Sequence, residues 1–170
     1  IGLVPKKDPG KFHLIHHLSF PEGISVNDGI PRDLTRVKYQ TVDDAISMII
    51  SLGIGCYLAK TDIADAFCIY PVHPSDRELL GFSWQGKFYF DNALPMGASI
   101  YCMIFETLST AIQWVATSKL GITKIIHILD DFMLAASNFT DCDVKLDRFL
   151  RLCRKIGIPI AVPKTVRLLR

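Results

Sequence analysis

Two adjacent carboxylates, Asp130 and Asp131, sit between two apolar runs, residues 125–129 and 132–136, and a third, Asp62, stands near the end of the apolar segment 56–63. The flanking runs read as the strands of a β-hairpin with Asp130 and Asp131 at its tip. As turn chemistry the pair is mediocre, because two-residue hairpin loops favour Asn-Gly or Asp-Gly, which accept positive φ. Two like charges at the edge of a core also repel unless a cation neutralises them. A locally poor choice inside a consistent segment is where function is expected; the plainer alternative is an exposed acidic turn. Three acids with no basic partner between them suit a hard divalent cation with oxygen ligands, Mg²⁺ foremost. Two such ions about 4 Å apart clamp the attacking and leaving oxygens of phosphoryl transfer.

The elements that would bring these acids together can be read along the chain. Residues 3–15 form a strand, a Pro9-Gly10 turn and a second strand, with Lys6, Lys7 and Lys11 around the turn. A basic hairpin tip can grip phosphates. His13, His16 and His17 lack a cysteine or fourth ligand nearby, so zinc is not expected. Residues 19–39, rich in Gly and Pro, read as loop. Thr41-x-x-Asp44 resembles a capping box opening a helix to about residue 52, stopped by Gly53. A strand over 56–63 follows, ending near Asp62, and then a hairpin over 79–90 turning at Gln85-Gly86. The segment 93–97 feeds a long helix whose stripe is Tyr101, Ile104, Phe105, Leu108, Ile112 and Val115. After the acidic hairpin a helix over 141–156 faces Leu146, Phe149, Leu150 and Cys153 inward. Gly157 closes it, and 158–162 reads as a short final strand. This order fits an α+β fold of the split βαβ kind, an antiparallel sheet with helices on one face. In such a sheet the strand ending at Asp62 can lie beside the hairpin bearing Asp130 and Asp131, bringing together acids 68 residues apart in sequence.

Composition narrows the function classes. The chain has 170 residues, 49% hydrophobic and 21% charged, enough for one domain or large lobe with a real core and unlike a disordered segment. It starts at Ile1 and ends at Arg170, so it looks like a piece of a longer protein. No run approaches a membrane span and no secretory signal is visible, which suits an intracellular setting without membrane partners. Five cysteines, odd in number and in apolar surroundings, read as free thiols. The net charge of +2 hides an asymmetry: from Lys145 onward eight basic residues face one acid, Asp147. A basic flank beside an acidic centre suits a polyanion held over a metal site; a solvated helix face is the alternative.

The ordered set Asp62-Ile63-Ala64-Asp65-Ala66-Phe67, Leu94-Pro95-Met96-Gly97 and Leu129-Asp130-Asp131 resembles the reverse-transcriptase palm. Lys6-Lys7-Asp8-x-x-Lys11-Phe12 is similar to the fingers hairpin of that family, and Gly157-Ile158-Pro159 with Lys164 to its late palm motif. The segments 15–19 and 60–67 look most like retrotransposons of the DIRS type, which pair this polymerase with a tyrosine recombinase. The resemblance implies one domain fragment, with fingers at about 1–37 and 71–93 and palm at about 38–70 and 94–170, the thumb and later domains being absent. It also implies an RNA-directed DNA polymerase that takes dNTPs and an RNA or DNA template with primer, and that works through two Mg²⁺ ions, with Mn²⁺ a substitute.

Carried over by position, Asp62 and Asp130 would hold both metals, Asp131 would support them, and the Ile63 carbonyl would complete one shell. Asp65 and Ala66 would offer N–H groups to the triphosphate, and Phe67 would lie under the incoming sugar. Met96 and Gly97 would flank the nascent base pair. Lys164 would approach the leaving pyrophosphate as a general acid, and Lys6, or Lys7, would meet the phosphates from the fingers side. The chain departs from the pattern at His13, where retroviral enzymes carry an arginine, at Met96 for glutamine, at Tyr101-Cys102 for Ser-Pro, and at Ile128 for an aromatic residue. Two rivals stay open: a metal-dependent nuclease, which would use the same acids, and a catalytically inactive nucleic-acid-binding remnant, which those departures allow.

Overall fold

The computed structural model describes residues 1–6 and 9–169, so Lys7 lies outside the described residues. In chain order the elements are β1 (Gly2–Pro5), β2 (Phe12–Ile15), α1 (Val42–Ile50), β3 (Tyr57–Asp62), β4 (Gly81–Trp84), β5 (Lys87–Phe90), α2 (Tyr101–Leu120), β6 (Ile125–Ile128), β7 (Asp131–Ala136), α3 (Phe139–Lys155) and β8 (Val166–Leu169), with short 3₁₀ turns between some of them. This is the expected α+β mixture with antiparallel sheets. The chain divides into two compact units, Ile1–Arg36 with Phe67–Met103, and Val37–Ala66 with Ile104–Arg170. Among the described residues no helix is long and apolar enough to cross a membrane.

The first unit holds two hairpins. β1 and β2 pair from Gly2↔Ile15 to Pro5↔Phe12, and the Lys6 N–H donates to the Lys11 carbonyl at 2.8 Å. β4 and β5 turn at Gln85-Gly86, where φ is +50° and +73°. Two successive positive values are what the right-handed twist of a two-residue hairpin asks for.

The second unit is built on a four-stranded sheet of order β6-β7-β3-β8, antiparallel throughout. Its side chains alternate between two faces. On one face Ala59, Thr61, Phe132, Leu134, Ile125 and His127 are all buried. Phe132 meets Phe149 of α3 with ring centroids 5.0 Å apart and stacks on His127, and His127 in turn touches Glu106 of α2. Both α2 and α3 therefore cover this face, as the split βαβ reading expects. Asp62, Lys60 and Asp131 belong to the opposite face. The capping box of α1 forms as read: Thr41 accepts from the Asp44 N–H at 3.2 Å, and the Asp44 carboxylate accepts from the Thr41 N–H at 2.7 Å.

Three expectations need correction. The final strand is not 158–162 but β8, which pairs with β3. Pro159 and Pro163 lack the N–H that a ladder needs, so this stretch gives one isolated bridge, Ile63↔Ile160, and a 3₁₀ turn over Val162–Lys164. The helix expected from 141 begins two residues earlier, because the Asn138 side chain caps it by accepting from the Asp141 N–H. On α2 the buried seam is Tyr101, Phe105, Ser109, Ile112 and Ala116, with Glu106 beside it, while Leu108 is half-buried. The seam is thus rotated toward two polar residues that apolar patterning leaves out.

Candidate active site

Asp62 and Asp131 face each other across the sheet. Register pairing of β3 with β7 runs from Tyr57↔Ala136 to Asp62↔Asp131, so the two acids close the ladder as a directly opposed pair. The hairpin tip is shifted by one residue from the sequence reading. Ile128 pairs with Asp131, which leaves Leu129 and Asp130 in the turn, and the positive φ falls on Leu129 at +52°. Asp131 is instead the first residue of β7, because its pairing with both Ile128 and Asp62 holds it in the ladder. Asp130 is tied to the same end of β3 through its carbonyl, which accepts the Ile63 N–H at 2.9 Å. The fold thus gathers Asp62, Ile63, Asp130 and Asp131 at one end of two paired strands.

Lys164 joins them from the 3₁₀ turn. The Ala161 N–H donates to the Asp62 carbonyl at 2.8 Å, the Lys164 N–H donates to the Ala161 carbonyl at 2.9 Å, and the Thr61 and Thr165 hydroxyls meet at 2.9 Å. So placed, Lys164 Nζ donates to both carboxylate oxygens of Asp62, at 3.0 Å each. The Asp62 side chain is buried whereas the lysine is 63% exposed. Lys60 Nζ lies 3.0 Å from Asp131 Oδ1, yet that buried oxygen lacks a hydrogen bond of proper geometry.

Burial acts on two of these acids. Burial pushes the Asp62 carboxyl above its ordinary range, Lys164 opposes the shift, and the nearby Asp131 adds to it. Burial raises Asp130 as well, the charges of Asp62 and Asp131 raise it further, and Lys164 again opposes. The Lys164 ammonium is held above its ordinary value first by its hydrogen bond to Asp62. Among the described residues no three acid, histidine or cysteine side chains form a ready metal shell. What Asp62, Asp130 and Asp131 offer is hard oxygen donors, two of them carboxyls with raised affinity for a proton. A hard divalent cation could take the place that the Lys164 and Lys60 ammoniums hold beside these carboxylates.

The remaining expected residues fall in both units. In the second, Asp65 takes φ +48° and Ala66 opens a 3₁₀ turn, Ala66–Ile69, while the Ala64 N–H is used by the Pro159 carbonyl. Lys6, Phe67, Met96 and Gly97 belong to the first unit. There the Met96 carbonyl accepts the His16 N–H at 2.9 Å, and the Gly97 carbonyl accepts from Asn27 Nδ2 at 3.0 Å. Gly97 sits at φ +133°, and a Cβ there would stand 2.1 Å from the His16 carbonyl oxygen. Of the three early histidines, His16 is buried with its Nε2 2.9 Å from Asp91. Lys145 and Arg167 of the basic flank are paired to acids of α3: Lys145 with Asp141, Arg167 with Asp143 and Asp147.

Behind the acidic hairpin lies a polar network that sequence reasoning missed. The Leu129 N–H donates to Glu106 Oε2 at 3.0 Å, and the Leu129 carbonyl accepts from the Ser109 hydroxyl at 2.6 Å. Glu106 Oε1 lies 3.0 Å from His127 Nε2, His127 Nδ1 meets the Gln113 side chain, and the His127 N–H donates to Gln40 at 2.8 Å. Glu106, Ser109 and His127 are all buried. The available signal was Glu106, Ser109 and Gln113 at i, i+3 and i+7, a polar line beside an apolar stripe.

No family model matches the chain, and no curated protein does. Solved structures do match. The foamy viral protease-reverse transcriptase in complex with dsDNA superposes with TM-score 0.73 at 18% identity, over 98% of this chain and 32% of that one. The fold is that of a reverse-transcriptase segment. A selenomethionine-labelled mutant of the Prototype Foamy Virus Protease-Reverse Transcriptase gives 0.70 at 24% identity, over 96% of this chain and 20% of its own. The foamy viral enzyme with an RNA/DNA hybrid gives 0.58 at 17% identity, over 65% and 14%. The chain thus spans between about a seventh and a third of the structures it matches.

Proposed function

We propose that this chain is the fingers and palm of an RNA-directed DNA polymerase of a retroelement, a nucleotidyltransferase joining dNTPs to a primer 3′-hydroxyl. The observation that carries this reading is the opposed pair Asp62↔Asp131 at the end of β3 and β7, with Asp130 in the adjoining turn. The three carboxylates and the Ile63 carbonyl would hold two Mg²⁺ ions. Those ions, when bound, supply activation of the 3′-hydroxyl and charge neutralisation on the phosphates.

The chain's own residues do the rest. Lys164, fully charged beside Asp62, carries the proton that a departing pyrophosphate needs. By their places in the motifs alone, Asp65 and Ala66 would offer N–H groups to the triphosphate, Lys6 or Lys7 would meet phosphate, and Phe67, Met96 and Gly97 would serve sugar and base. Template and primer choose the base by pairing. The structural neighbours caught with dsDNA and with an RNA/DNA hybrid support nucleic acid as the partner. Kinship with DIRS-type elements rests on the motifs at 15–19 and 60–67. A nuclease reading is less favoured: His127, the histidine nearest the acids in sequence, is buried against Glu106 rather than open to water.

The test is primer extension on an RNA template with Mg²⁺ or Mn²⁺, using the full-length protein and its Asp130→Asn variant. Wild-type extension and at least about a thousandfold loss in the variant are expected, since an interaction essential to the transition state is removed. An unchanged rate in Asp130→Asn overturns the assignment. Cleavage without extension indicates a nuclease, and binding without either indicates an inert module.

A further inference from the structure

Leu129 occupies an unusual position for its type. A leucine at φ +52° is strained, because its Cβ crowds the backbone in a region that favours glycine. Such a conformation persists only where the surroundings over-determine it. Here both hydrogen-bonding groups of one residue are held by side chains one turn apart on α2, the N–H by Glu106 and the carbonyl by Ser109. The two clamping residues are themselves fixed. Ser109 is fully buried, and Glu106 is buried with its other oxygen 3.0 Å from His127 Nε2. Burial pushes the His127 ring below its ordinary pKa while the adjacent Glu106 opposes the shift, and its Nδ1 meets Gln113 Oε1. The next residue in the chain is Asp130.

We propose that Glu106 and Ser109 are positioning residues: a two-point clamp that holds the Leu129 peptide in its left-handed conformation and thereby sets where Asp130 stands relative to Asp62. Neither touches the reacting atoms. This inference rests on the reading of Asp130 as a metal ligand. Its physical content is that positive φ at the first turn residue, which glycine would adopt unaided, is imposed on Leu129 from the helix behind. A displacement of about 1 Å at such a group is enough to cost about a hundredfold in rate.

Two readouts test it on the full-length protein. The first is Mn²⁺ affinity by titration calorimetry in wild type, Ser109→Ala, Glu106→Ala and Glu106→Gln. Glu106→Gln keeps an acceptor for Leu129 and should bind Mn²⁺ within a few-fold of wild type. Ser109→Ala and Glu106→Ala should bind at least tenfold more weakly. Adding Leu129→Gly, which makes positive φ free, should restore most of that loss in the Ser109→Ala background. The second readout, independent of metal, is amide exchange at Leu129, which should quicken at least tenfold in Glu106→Ala and stay near wild type in Glu106→Gln. Ser109→Ala removes one oxygen and keeps the test available if Glu106→Ala fails to fold. Wild-type Mn²⁺ affinity in folded Ser109→Ala overturns the clamp, as does unchanged Leu129 exchange in folded Glu106→Ala. A wild-type protein that binds no Mn²⁺ refutes the polymerase reading instead, and Leu129 exchange then still decides whether the clamp exists.

Discussion

Replacing Gly97 with alanine should destabilise the first unit by an amount that can be assembled from the structure. A Cβ at this position would stand 2.1 Å from the His16 carbonyl oxygen, and φ is +133°, where L residues are rarely found. Ordinary contact begins near 3.4 Å, so the backbone must retreat by more than about 1 Å, a shift that close packing resists. That retreat breaks the His16–Met96 and Asn27–Gly97 hydrogen bonds, each worth about 1 kcal/mol. The strained φ adds about 1–3 kcal/mol. The total is about 3–5 kcal/mol, or roughly 10 °C in melting temperature for a chain of this size. Gly10→Ala is the matched control: φ is +75° with nothing within 4 Å, so only a conformational cost of about 1 kcal/mol remains. Urea unfolding of both variants, followed by two probes to check for a single transition, measures the difference. If Gly97→Ala is no less stable than Gly10→Ala, the close approach of His16 is not what demands glycine here.

Other outcomes follow from the acids. Asp62 and Asp130 both titrate above their unfolded values, so the folded state binds more protons than the unfolded one. Stability should therefore fall as pH rises from about 4 through the raised values, and Mg²⁺ should raise the melting temperature at pH 7 but hardly at pH 4; an equal effect at both contradicts the coupling. Lys164→Met should lower the melting temperature at pH 7, since the lysine is exposed but its partner Asp62 is buried and is left without its ammonium; an unchanged melting temperature would count against the pair. The same variant should bind Mg²⁺ more tightly by calorimetry, because no ammonium must be displaced from Asp62, and it should extend primers more slowly. Weaker Mg²⁺ binding would count against Lys164 and the cation sharing that carboxylate.

Most of the fold was open to inspection in the sequence because its signals are local. Thr41-x-x-Asp44 closes its capping box, Gln85-Gly86 makes its hairpin, and the apolar runs around the acids form β6 and β7. The convergence of Asp62 with Asp130 and Asp131 needed the motifs as well, since periodicity alone does not say which strands pair. What stayed hidden depends on three-dimensional partners. The position of the turn, over Leu129-Asp130 rather than Asp130-Asp131, goes with Glu106 and Ser109 holding Leu129, which no turn propensity encodes. The last strand moved to Val166–Leu169 because two prolines spoil the earlier apolar stretch. The requirement for glycine at 97 comes from a carbonyl 81 residues away in sequence.

The central claim is that Asp62 and the Asp130-Asp131 hairpin hold divalent cations in common. Titration calorimetry of Mg²⁺ into wild type, Asp62→Asn and Asp130→Asn, each verified as folded, measures it directly. Binding in the wild type that is lost in both single variants is the expected result. Binding that survives either substitution unchanged, or is absent from the wild type, would contradict it.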